Sequence, residues 1–265
     1  MMRPTASTGS VVDTPLGRQR LVLLLSMGTL TGLAWLALVS GSSHLLLDQT
    51  AILAPRAQEP DLTSFLLAVS MWMVMMVAMM LPPVMPWLLL FGSLARKAYA
   101  RPLLASALFG AGYFAVWFAY SLMGAVIQLG LQRRALLGLD LRLHALLGGA
   151  LLLAAGLFQL TPLKHACLAH CRNPLSFFLA RWQDGPTGPF RMGSSHGIYC
   201  LGCCWALMGV SFALGLMNLL WMAALTLIIC IEKLAPRGQQ MSRAFGLAFG
   251  GWGLWLMLAG SGSAG

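Results

Sequence analysis

LTSFLLAVSMWMVMMVAMML, residues 62–81, runs for twenty positions without a charged side chain. A helix that crosses the roughly 30 Å hydrocarbon core of a bilayer needs about 20 mostly apolar residues, and this stretch meets that length by itself. Pro82, Pro83 and Pro86 follow it. Proline removes a backbone donor and clashes with the preceding turn. The sequence therefore predicts that the helix ends or kinks there, with 84–91 lying in the membrane interface or re-entering it.

Six further runs of similar character flank this one, at 21–40, 103–128, 144–161, 197–216, 218–234 and 244–260. Met217-Asn218 alone separates two of them, which reads as a tight helical hairpin. The last run is rich in glycine (Gly246, Gly250, Gly251, Gly253, Gly260), and small residues let helices approach closely. The expected fold is all-α, a polytopic integral membrane helix bundle of six to seven transmembrane helices. Residues 1–20 are polar and read as a disordered cytoplasmic N-terminus. Residues 21–260 read as a single transmembrane domain with a Cys/His-rich connecting segment at 162–204. Arg18 and Arg20 before the first apolar run suit a signal peptide. No small-residue cleavage site follows, so the run is a retained anchor.

Composition agrees. The 265 residues are 58% hydrophobic and 9% charged, against about 25% charged in a soluble domain, and mean hydropathy is +0.78. The net charge of +10 sits mostly in short segments between apolar runs. There it sets topology and meets anionic lipid. No basic stripe tracks phosphates, which excludes a nucleic-acid partner.

With the amino terminus inside, 13 of the 17 Lys and Arg residues fall on the cytoplasmic side, as the positive-inside rule requires. Arg56, Arg133, Arg134 and Arg142 fall outside. In this orientation every cysteine lies at the cytoplasmic face of a bacterial inner (plasma) membrane.

Six cysteines occur, and five of them with three of the five histidines lie between residues 164 and 204. In a reducing cytoplasm they remain thiols; in the inverted orientation, a disulfide between Cys167 or Cys171 and the later group is the competing account. Thiolate with imidazole suits zinc, Cu(I) or an iron–sulfur cluster. If 196–208 is helical, His196, Cys200, Cys203 and Cys204 fall within an arc of roughly 100° at about 100° per residue. The alternative is a Cys200-Leu201-Gly202-Cys203 turn holding one zinc ion, with Cys167 and Cys171 as the second pair. Beside both stands the plain reading that free cysteine packs like a small hydrophobe, which suits Cys230 near its helix end. His170 suits a solvated basic loop, and His44 and His144 the opposite face.

Met71, Met73, Met75, Met76, Met79 and Met80 form a dense run. Thioethers bind Cu(I), and they also fill space in helix packing; the run goes round the helix rather than keeping to one stripe. Glu232 is costly in hydrocarbon and either serves a site or is carried to the interface by a snorkelling Lys233. Asp184 suits a turn at Trp182–Gly185. No Ser/His/Asp constellation, phosphate-cradling glycine loop, His-Glu-x-x-His motif or haem-attachment motif is present.

A wider pattern runs through Met71-Trp72-Met73, Ala78-Met79-Met80-Leu81-Pro82, Cys167, Cys171-Arg172-Asn173-Pro174-Leu175, Trp182 and Gly185. It continues through His196-Gly197, Tyr199-Cys200-Leu201-Gly202-Cys203-Cys204-Trp205, Met208, Gly215, Met217-Asn218, Trp221-Met222 and Glu232-Lys233. It resembles a bacterial domain-of-unknown-function family described as predicted metal-binding integral membrane proteins, over residues 62–235. The resemblance implies a metal site at His196, Cys200, Cys203, Cys204, Cys167 and Cys171.

The reading from sequence is thus a membrane protein binding a soft transition metal, copper first and zinc second, in metal handling or assembly. Glu232, Met79, Met80 and His165 stand behind the ligands. Membrane lipid is the expected partner, with other membrane subunits or a metal donor protein. The alternatives are a metal-dependent membrane enzyme of oxidoreductase type, with an open metal position and Glu232 as proton acceptor, and a structural or assembly subunit whose cysteines only pack.

Overall fold

The computed structural model describes residues 15–47, 62–138 and 141–262. These form ten α-helices: α1 (Pro15–Leu47), α2 (Leu62–Ala98), α3 (Pro102–Arg133), α4 (Ala145–Gln159), α5 (Pro162–Arg172), α6 (Pro174–Arg181), α7 (Gly188–Gly209), α8 (Ser211–Leu214), α9 (Leu219–Leu234) and α10 (Gly238–Gly262). The first helix begins at Pro15, six positions before the apolar run, because a helix can continue into its flanking polar residues. The expectation for residues 1–14 lies outside the described residues, as do Arg56 and the His44 side chain.

Among the described residues, four helical stretches are long and apolar enough to cross a membrane: Gly17–Gly41, Leu62–Ala98, Pro102–Arg133 and Gly188–Leu214. The bent pair Ala145–Gln159 and Pro162–Arg172 raises the number to five if it acts as one span. The runs at 218–234 and 244–260 form helices, yet α9 has only 16 residues and, at 1.5 Å per residue, reaches about 24 Å.

The largest departure from the sequence reading is α2. It passes through Pro82, Pro83 and Pro86 without ending and runs on to Ala98, so 84–91 continues the same helix. Proline's local penalty is outweighed here by packing: Leu81, Pro83, Val84, Trp87, Leu88 and Phe91 are all buried.

Close approach between helices depends on glycine. A Cβ on Gly112 would run into the Phe190 carbonyl, and one on Gly193 into that of Phe109, so α3 and α7 cross with backbones nearly in contact. On the other side of the bundle, a Cβ on Gly149 would stand 2.8 Å from the Gly253 carbonyl, and one on Gly253 2.5 Å from that of Gly149. The glycine-rich α10 therefore packs tightly on α4, as its composition predicts.

Polar ties fix the register. Trp72 donates to Gln128 Oε1 at 2.8 Å between α2 and α3, and Tyr120 donates to the Trp205 carbonyl at 2.9 Å between α3 and α7. Arg142, which opposes the charge rule, donates from Nε to the Ala213 carbonyl at 2.9 Å. It satisfies the C-terminal end of α8, a structural role that charge counting does not register. Gly215, at φ +97°, then turns the chain, and the Asn218 side chain accepts from Trp221 N–H at 3.3 Å to start α9.

Candidate metal centre

The segment 162–204 is largely helical. It folds into α5, α6 and most of α7, and its ordering builds the site. Thr161 caps α5 by accepting the Lys164 N–H at 3.3 Å, and Pro162 occupies the first helical turn, where its missing donor costs nothing. The chain bends by 64° between α4 and α5. That bend turns a stripe of α5 inward: Lys164, Leu168 and Cys171 are buried, at the i, i+4, i+7 spacing of one helix face.

α7 is continuous from Gly188 to Gly209, so the helical alternative holds and the Cys200–Cys203 turn does not occur. Its inward face meets the α5 stripe. Cys171 Sγ lies 3.8 Å from Cys203 Sγ, and Cys203 Sγ lies 3.3 Å from Cys204 Sγ. Cys200 interacts with the same three thiols. All four are buried, and all six cysteines are free thiols. Cys167 is half-buried on a neighbouring face, where Gly202 makes room for it; a Cβ there would stand 2.8 Å from its sulfur. Cys230 is half-buried on α9.

His196 lies one turn before Cys200. Its ring stacks on Trp87, with centroids 3.6 Å apart and planes at 19°, and its Nδ1 is buried without a hydrogen-bond partner. Trp87 also donates to the Cys171 carbonyl at 3.0 Å. This residue sits beyond the prolines of α2, so the unbroken helix is what delivers it. Tyr113 brings its hydroxyl within 3.0 Å of Cys200 Sγ and 3.5 Å of the Met80 carbonyl. Met75, Met76, Met79 and Met80 are fully buried, while Met71 and Met73 are only partly so. The burial is thus one-sided, around the face that carries Trp72, and the run does not serve all faces alike.

Charge surrounds the sulfurs. Lys233 Nζ lies 2.8 Å from Cys200 Sγ. Lys164 Nζ lies 2.7 Å from Glu232 Oε2 and donates to the Cys203 carbonyl at 2.6 Å. Glu232 Oε1 accepts from Gln159 at 2.7 Å, and Arg172 donates to the Glu232 carbonyl at 2.8 Å. Glu232 and Lys233 therefore point into the bundle instead of snorkelling. Pairing supplies what water would have supplied, as a charge buried this deeply requires. Both Glu232 oxygens are engaged.

Lys164, Lys233, Tyr113, Gln159 and Trp87 were not singled out as site residues by sequence reasoning. The available signal was the cost of a charge inside an apolar run, which counting Lys164 and Lys233 as loop charges set aside. His165 brings its ring nitrogen to the Gln159 carbonyl at 3.2 Å. His170 is exposed and stacks on Tyr199. His144 starts α4, with Nε2 3.2 Å from the Ala135 carbonyl. Asp184 accepts from Trp182 Nε1 at 2.9 Å within its turn.

Among the described residues, no group of three or more His, Cys, Asp or Glu side chains is arranged so that it could hold a metal ion as it stands. Four sulfurs about 2.3 Å from one tetrahedral ion stand roughly 3.8 Å apart; Cys171 and Cys203 match that separation, and Cys203 and Cys204 are closer. Cys203 also turns its thiol onto the Cys200 carbonyl at 3.1 Å. Thiol rotation would have to accompany metal binding.

The family model PpoB2, described as a copper chaperone, matches residues 69–256. No curated protein and no solved structure matches the chain.

Proposed function

The chain belongs to the PpoB2 family, described as copper chaperones, and on that premise we propose that it takes up, holds and passes on Cu(I) through Cys171, Cys200, Cys203 and Cys204. The observation that carries this reading is the meeting of four free thiols from α5 and α7 in one buried cluster. Soft thiolates favour Cu(I). His196 and Cys167 flank the cluster as further ligands, and Met79, Met80 and Glu232 stand behind it. Lys233 offsets the negative charge that thiolates bring. Zinc is the competing ion for such a donor set.

The chaperone works within a bacterial inner membrane, with its amino terminus and the sulfur cluster at the cytoplasmic face. Residues 21–260 form one membrane domain, and α9 and α10 complete a bundle of six to seven spans. The exposed leucines of the outer faces, such as Leu25, Leu36, Leu157 and Leu254, support a lipid surround, since soluble monomers rarely expose such patches. A metal donor protein or a membrane-bound acceptor is the expected partner.

The test is metal analysis of the purified protein. Copper retained near stoichiometrically by the wild type and lost from the Cys200→Ser/Cys203→Ser double variant supports the reading. Zinc alone would reassign the cargo, and a folded protein that takes up no metal would leave the cysteines as packing residues. Reporter fusions at residue 185 and at the carboxyl terminus test the orientation, which an external residue 185 would reverse.

A further inference from the structure

Every fourth position along one row of α7 carries a soft or nitrogen donor: Met192, His196, Cys200, Cys204 and Met208. All five are buried, at 3% exposure or less. Four residues advance a helix by about 6 Å and turn it by about 40°, so the row winds gradually round α7 as it spans about 24 Å.

The Met192 end of the row opens on a crevice. A cavity of about 290 Å³ between α6 and α7 is lined by Phe177, Arg181, Trp182, Gln183, Met192 and Ser195. Phe177 also touches the His196 ring, with centroids 6.3 Å apart, so the imidazole lies directly behind the crevice lining. Its Nδ1 is the unpartnered atom noted above. Leaving such a group unsatisfied is costly, and a passing metal ion is a partner that would satisfy it.

We propose that Cu(I) is loaded through this crevice, held first by the Met192 thioether and then by His196 Nδ1 before it reaches Cys200. This rests on the proposed copper function and adds to it a route, Met192 as a transit ligand, and an early place on that route for His196. Each step is ligand exchange: a new donor bond forms before the previous one breaks, copper stays Cu(I), and no electron moves. Thioether, imidazole and thiolate bind Cu(I) in rising order of donor strength, the thiolate alone bringing a negative charge, so the row runs downhill from the crevice inward. Met192 is a transit ligand and takes no part in the resting cluster.

The experiment follows anaerobic uptake of Cu(I), presented as its glutathione complex, by the full-length protein in detergent micelles. Met192→Leu keeps the volume and removes the donor; Ser195→Phe fills the crevice. Each variant is expected to load at least about tenfold more slowly than wild type, which corresponds to a barrier raised by roughly 1.4 kcal/mol, and to reach the same final stoichiometry. A wild-type loading rate in either folded variant overturns the route. A reduced final stoichiometry in Met192→Leu overturns the transit role, since it would make Met192 a resident ligand. Should Ser195→Phe not fold, Met192→Leu alone decides. A wild-type protein that takes up no Cu(I) at all fails at the earlier step and removes the copper function itself.

Discussion

Lys233 and Cys200 are thirty-three positions apart in the chain, and the Lys233 ammonium nitrogen lies 2.8 Å from the Cys200 sulfur. A cation in that place favours any state in which the sulfurs carry negative charge, including a copper–thiolate complex. Hydrogen bonds to charged groups contribute about 1.5–3 kcal/mol. Lys233→Met, which keeps the side-chain length, should raise the Cu(I) dissociation constant by about 10- to 100-fold, read by competition with a colorimetric Cu(I) chelator. An unchanged constant would show that the ammonium has no part in holding the metal.

Glu232 and Lys164 form an ion pair at 1% and 0% exposure. Removing one partner leaves the other charge buried, a loss of about 3–5 kcal/mol, whereas replacing both with apolar groups is often close to neutral. Glu232→Gln should therefore be strongly destabilised in mixed-micelle unfolding. The Lys164→Met/Glu232→Leu double variant should recover most of that loss. A double variant as unstable as the single would mean that the pair's other bonds, to Gln159 and to the Cys203 carbonyl, matter more than its charge balance.

Two glycines on different helices should respond oppositely to alanine. A Cβ on Gly193 meets the Phe109 backbone, which cannot yield without parting α3 from α7, while a Cβ on Gly251 meets nothing within 4 Å. Gly193→Ala should cost about 1–3 kcal/mol or more through overpacking, and Gly251→Ala should gain up to about 1 kcal/mol through helix propensity. Thermal unfolding midpoints that shift the same way in both would contradict the close crossing.

Gly202 and Cys167 should be coupled. A Cβ at 202 stands 2.8 Å from the Cys167 sulfur, and that thiol can turn away only at the expense of its packing. Gly202→Ala should destabilise the wild type, and the effect should shrink by about 0.5–3 kcal/mol in a Cys167→Ala background, the range found for residues in contact. Strict additivity in this double-mutant cycle would place Cys167 away from α7.

The helical character of the chain and the location of its apolar runs were legible in the sequence. So was the shared face of His196, Cys200, Cys203 and Cys204, because helix period and side-chain polarity are local properties. Two features were not. Proline at 82, 83 and 86 argued for a break, and the packing around Trp87 and Phe91 that overrides it comes from α6 and α3. Thr161 and Pro162 mark the start of a helix, yet only the finished bundle shows that the 64° bend before it aims Cys171 at Cys203.

By itself the sequence determined that this chain is helical, that several of its helices are long and apolar enough for a membrane, and that its sulfur lies largely in one stretch. Only the tertiary structure decided where the charges go. Lys164, Glu232 and Lys233 could each have reached for water from a helix end, and no local pattern distinguishes that choice from burial. They turn inward because α5, α7 and α9 meet where a carboxylate can face an ammonium and an ammonium can face a thiol. Such compensation depends on neighbours in space, which spacing along one helix does not encode.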